Sequence, residues 1–136
     1  MVGNPGDSGG VGIDIEQITE RDDRTVAAIL TDAECRLLDT LCSSVAERPS
    51  WVTRFWTAKE AVAKAAGTGL GGRPHRFEVQ QVDGDRLLVT GGGGAPSRWV
   101  QTEVGAESEP YAVAWTPPEE TDQASEQISA HAGGIL

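Results

Sequence analysis

Phe55-Trp56-Thr57-Ala58-Lys59-Glu60-Ala61-Val62-Ala63-Lys64-Ala65 is the stretch on which the fold turns. Phe55, Ala58, Val62 and Ala65 recur at helical spacing and predict an apolar stripe facing a core. Trp56, Glu60 and Lys64 lie four apart on the opposite face, with Lys59 beside them. Pro49 suits a first helical turn, and Gly67 and Gly69 suit an end, so the helix is predicted from Pro49 to about Ala66.

Upstream, Thr31-Asp32-Ala33-Glu34 is a capping box: Thr31 caps the helix and Glu34 reaches back to its N–H. It opens a second helix to about Val45, with Leu37, Leu38 and Leu41 inward. A shorter helix is predicted around Arg24 to Leu30. Val11-Gly12-Ile13-Asp14-Ile15-Glu16 alternates apolar and acidic residues, a strand with both acids on one face. Downstream, Arg76–Val82 and Arg86–Thr90 flank Asp83-Gly84-Asp85, a hairpin signal. Arg98–Val104 and Tyr111–Thr116 read as two more strands, with Trp99 and Trp115 as core aromatics. Gly91–Gly94 is a loop and not a phosphate cradle, since no Gly-Lys-Ser/Thr follows. The order of strand, helices and then strands predicts an α+β fold, a mainly antiparallel sheet packed on one long helix.

The 136 residues suit one domain. Residues 1–9 read as a flexible lead-in, 10–117 as the domain and 118–136 as a disordered tail. No apolar run approaches the ~20 residues of a membrane span. The start has no basic or apolar signal region, so a cytoplasmic location is expected. Cys35 and Cys42 are too distant for a disulfide and are expected as reduced thiols. A net charge of −10 argues against nucleic-acid binding.

Asp14 and Glu16 on one strand face, and Glu60 and Lys64 on one helix face, would converge if strand and helix pack together. Hard cations such as Mg²⁺ take carboxylate oxygens and substrate phosphates. A neighbouring lysine can neutralise a phosphate or protonate a leaving group. By spacing alone, the commoner reading is a solvated i,i+4 pair and the wet face of a strand.

These motifs resemble the signatures of the 4′-phosphopantetheinyl transferase family. Residues 11–16 look like G-(I/V)-D-(I/V)-E, residues 55–65 like (F/W)-(S/T/A)-x-K-E-A-x-x-K-A, and Gly67-Thr68-Gly69-Leu70 sits at the family's G-x-G-L turn. The resemblance covers about Gly10 to Pro117. It implies metal ligation by Asp14, Glu16 and Glu60, with Mg²⁺ or Mn²⁺ as the ion. It also implies Glu60 as a base for the carrier serine, Lys59 as a cofactor-binding residue that supports the site, and Lys64 at the coenzyme A phosphates and as general acid. The implied reaction moves the phosphopantetheine arm of coenzyme A to a serine of an acyl or peptidyl carrier protein and releases 3′,5′-ADP, as in fatty acid or polyketide biosynthesis.

The length matches the short acyl-carrier-protein-synthase branch, which forms homotrimers. Trp56 and Glu16 look like the second half of the longer surfactin-type branch. The Ser-His-Ser-type nucleotide segment of the long enzymes has no match; His75 and His131 lack its context. The chain is therefore expected as a homo-oligomer, dimer or trimer, or as a domain of a larger synthase. The alternative is a non-catalytic half-domain, an interaction or dimerisation module of a synthase assembly. Arg24, Arg36, Arg48 and Arg54, with Leu37, Leu41 and Trp51, mark the expected carrier surface, and Arg73, His75 and Arg76 form a small basic cluster.

Overall fold

The computed structural model describes residues 10–92, 95–105 and 108–118. The expected flexible lead-in, nearly all of the acidic tail and part of the glycine loop lie outside the described residues. The chain runs β1 (Ile13–Gln17), α1 (Asp23–Ile29), α2 (Asp32–Leu41), α3 (Arg48–Ala65), β2 (Val79–Asp83), β3 (Arg86–Val89), β4 (Arg98–Gly105) and β5 (Tyr111–Trp115). Short 3-10 turns precede α3 and β2. The strands form one antiparallel sheet ordered β1-β5-β4-β3-β2. This is the α+β arrangement expected from the sequence.

Local chemistry sets the element ends. Asp22 caps α1 by accepting from the Thr25 N–H at 2.8 Å. The capping box of α2 is formed from both sides, Thr31 with the Glu34 N–H and Glu34 with the Thr31 N–H. That helix ends at Leu41, short of the expected Val45, and Cys42 closes it on the Leu38 carbonyl. Pro49 stands in the first turn of α3. At its other end the N–H groups of Thr68 and Gly69 bond the Ala63 carbonyl, with Gly67 and Gly69 at positive φ.

Helix α3 is the centre of the molecule and packs across β1, β5, β4 and β3 on the inner face of the sheet. Phe55, Ala58 and Val62 are buried as predicted, and Ala65 is half-buried. Thr53, Arg54, Thr57, Lys59, Ala61 and Ala63 are buried too. A single stripe is too narrow a description of a helix with the sheet on one side and α2 on another.

The edge strand β1 turns its polar side inward. Asp14 is 8% exposed, whereas Ile13 and Ile15 are each 60% exposed. Gly12 allows this: a Cβ there would collide with the Ala61 carbonyl of α3. The outer face continues with Trp115 opposite Ile13 and Val113 opposite Ile15. Trp99 and Trp115 are half-buried and alternate with buried neighbours, so they lie on this outer face, outside the core expected for them.

Candidate active site

The site grows from the seam between β1 and α3. Strand alternation places Asp14 and Glu16 on the helix side of β1. One turn of α3 separates Glu60 from Lys64, and both face the strand. The Lys64 ammonium donates to Asp14 Oδ1 at 2.7 Å and lies 3.4 Å from the Ile13 carbonyl. The other Asp14 oxygen, Oδ2, is buried with no hydrogen-bond partner among the described residues.

Electrostatics link the four groups. Glu60 is pushed up by partial burial and then by the Asp14 charge, against the pull of Lys64. Glu16 is pushed up by burial, then by the charge and close approach of Asp14 and the charge of Glu60, while Arg21 opposes. The Lys64 ammonium is held above its usual range, first by its bond to Asp14 and also by the charges of all three acids, although burial opposes. Three carboxylates beside one lysine leave the seam short of positive charge. An orphaned buried oxygen and a surplus of hard oxygen donors fit a divalent cation that also meets phosphate. Among the described residues, however, no three His, Cys, Asp or Glu side chains are close enough to form a finished metal cage. The structure brings the acids together without closing a cage around them.

Lys59 does not join this group. Its side chain is fully buried, with the ammonium 2.7 Å from Glu34 Oε1 and 2.6 Å from the Ile29 carbonyl. Burial pushes it down while Glu34 opposes. The coenzyme A-binding role expected of Lys59 does not fit this burial: one residue of helical rotation, about 100°, turns Lys59 away from the face of Glu60 and into the scaffold. Glu34, read from the sequence only as a cap, is the residue that holds it. Arg21, which no motif marks, donates to Thr53 Oγ1 at 2.7 Å, and its charge acts on Glu16.

Of the residues expected at the carrier surface, some are turned inward. Arg54 is buried against Thr102 and Asp85 and stacks on Trp51 at 4.2 Å. Leu37 and Leu41 pack onto the core, and Arg48 pairs with Asp39. Arg24 and Arg36 remain exposed. Beyond the end of α3 a cavity of about 480 Å³ is lined by Thr68, Gly69, Leu70, Arg73, Arg76 and Phe77. His75 instead contacts the Ala27 carbonyl at 2.9 Å.

Fold and site together define an α+β protein with an acidic, lysine-bearing seam between its first strand and its long helix. Residues 10–116 match the model of the 4′-phosphopantetheinyl transferase superfamily, and the chain belongs to that family. It is 35% identical over 88 residues to a holo-[acyl-carrier-protein] synthase of Streptococcus agalactiae, covering 60% of this chain and 73% of that one. A second, from Oceanobacillus iheyensis, is 41% identical over 68 residues, covering 46% and 56%. Among solved structures, the Bacillus anthracis holo-(acyl-carrier-protein) synthase in complex with CoA (3′,5′-ADP) superposes with a TM-score of 0.56 at 26% identity. That match covers 79% of this chain and 95% of that one. The features that resemble the longer branch, Trp56 and Glu16, therefore sit in a fold that runs nearly end to end with a short synthase.

Proposed function

We propose that the protein transfers the 4′-phosphopantetheine arm of coenzyme A to a serine of an acyl or peptidyl carrier protein and releases 3′,5′-ADP. The observation that carries the site assignment is the Lys64–Asp14 contact of 2.7 Å, with the Asp14 charge raising both Glu16 and Glu60 beside it. Holo-acyl-carrier-protein synthase is the activity named for the relatives, and a coenzyme A complex is named for a solved one.

In this reading Glu60 accepts the proton of the carrier serine, whose oxygen bonds to the β-phosphorus of coenzyme A. The bond from that phosphorus to the oxygen bridging it to the nucleotide breaks, and 3′,5′-ADP leaves. Lys64 is about half exposed, so it can turn from Asp14 to a phosphate oxygen and neutralise the departing charge. Asp14, Glu16 and Glu60 would hold Mg²⁺ or Mn²⁺. Bound there, such an ion supplies charge neutralisation and alignment at the pyrophosphate. The chain's own contribution is to position these groups at the seam.

Intact-mass spectrometry of apo carrier proteins incubated with the protein, coenzyme A and Mg²⁺ tests this. The expected result is a gain of one phosphopantetheine arm, abolished by a chelator. No gain on any acyl or peptidyl carrier overturns the transferase reading. A gain that survives the chelator overturns the metal.

A further inference from the structure

The residues on either side of Glu60 are both anchored. On one side, Lys59 sends its ammonium into a fully buried contact with Glu34 and the Ile29 carbonyl. Both Glu34 oxygens are engaged: Oε1 accepts from Lys59 and from the Thr31 N–H at 2.8 Å, and Oε2 accepts from the Val79 N–H at 2.7 Å. One carboxylate thus joins the cap of α2, the middle of α3 and the start of β2, and the Lys59 ammonium adds the end of α1 through the Ile29 carbonyl. On the other side, the Ala61 carbonyl lies against Gly12, two residues before Asp14, closely enough to exclude a Cβ.

Neither feature is needed merely to make a helix. A buried ion pair is weak evidence for stability, because desolvation offsets much of its attraction, and apolar replacement of both partners is often neutral. What the pair does define is rotation. A buried carboxylate held by three donors accepts few alternative geometries, so α3 is fixed about its axis at Lys59 and fixed against β1 at Ala61. Glu60 lies between the two anchors and Lys64 one turn beyond.

We propose that Glu34 is a positioning residue of the transfer site. Acting through Lys59, it sets the rotation of α3 and so the geometry of Glu60 and Lys64 relative to Asp14. The proposal deepens the transferase reading and rests on it. It explains why a lysine within the second motif is turned away from the site: its contact is with the scaffold.

The test uses the Glu34→Gln/Lys59→Met variant of the full chain. Both charges are removed, and the glutamine oxygen accepts one of the two backbone N–H groups that Glu34 accepts. The melting temperature should stay within about 5 °C of the parent. Turnover should fall about tenfold or more, with KM for coenzyme A and carrier changed by less than about twofold, because misplaced groups act on the transition state. A folded variant with kcat within about twofold of the parent overturns the proposal.

Hydrogen exchange of the parent gives a second decision that needs no variant and no activity. The amides of residues 60–64 should open only with the core amides of β3 and β4. Faster, local opening of 60–64 overturns the clamp, even if the double variant fails to fold. A parent that transfers nothing to any carrier defeats the transferase reading instead, while exchange still decides whether the clamp exists.

Discussion

At Glu60, burial and the Asp14 charge both favour the protonated carboxyl, and Lys64 alone opposes them. The folded-state pKa is therefore raised, and the folded chain holds this proton more tightly than the unfolded chain does. Stability from that difference is fully present below the ordinary carboxyl value and is lost as pH rises through the raised folded value. At neutral pH the cation-free protein carries the penalty, and Glu16, raised by its own burial and then Asp14, adds to it in the same direction. Glu60→Gln should therefore stabilise the protein in chelator at pH 7. Solvent screening at this half-buried position limits the gain to about 0.5–1 kcal/mol. Urea unfolding should show the gap closing as pH falls, when the parent carboxyl is itself protonated. The same substitution should lower carrier modification by about a hundredfold or more, since it removes the proton acceptor. A variant no more stable than the parent at pH 7, or a gap that persists in acid, would contradict the crowding of these acids.

The seam between β1 and α3 shows what the sequence could and could not disclose. The capping box at Thr31, the helix opened by Pro49 and the Asp83-Gly84-Asp85 hairpin were legible because each is fixed by neighbours in the chain. Alternation also put Asp14 and Glu16 on one face. It could not say that this face would meet α3 while Ile13 and Ile15 stayed outside, because both faces of an edge strand obey the same period. Helical spacing likewise grouped Lys59 with Glu60. Only the packing of α1, α2 and β2 around Glu34 shows that Lys59 belongs to the scaffold. Gly12 carried no signal beyond its place in the motif, yet it determines how closely strand and helix approach. Gly12→Ala should force β1 from the Ala61 carbonyl and cost about 1–3 kcal/mol. Urea unfolding measures that cost. Because the shift carries Asp14 away from Glu60, residual transfer by the folded fraction should also fall. A variant of parental stability and activity would show that the approach is looser than described.

At the scale of the whole molecule, the helices among the described residues pack on one face of the sheet. On the other, Ile13 and Ile15 are exposed, with Val113 and Trp115 beside them across the β1–β5 ladder. Trp99 lies further along under Arg86, whose guanidinium sits 4.7 Å above the ring. Aromatic and β-branched residues on an uncovered sheet are characteristic of an association surface. The oligomer expected from the family resemblance would find an apolar surface here if copies of the chain assembled through this face. Self-association would also protect the β1 edge, which pairs only with β5 among the described strands. Ile13→Lys adds a charge to the centre of that surface while leaving the inward side of β1 untouched. Sedimentation should find the parent as a dimer or trimer and the variant as a monomer with an unchanged circular dichroism spectrum. Mixing a charge into an apolar contact costs several kcal/mol if the lysine is truly desolvated, enough to dissociate the assembly at micromolar concentration. A variant that sediments with the parent places the contact elsewhere. A monomeric parent leaves the outer sheet face for a different partner and removes the oligomer from the functional account.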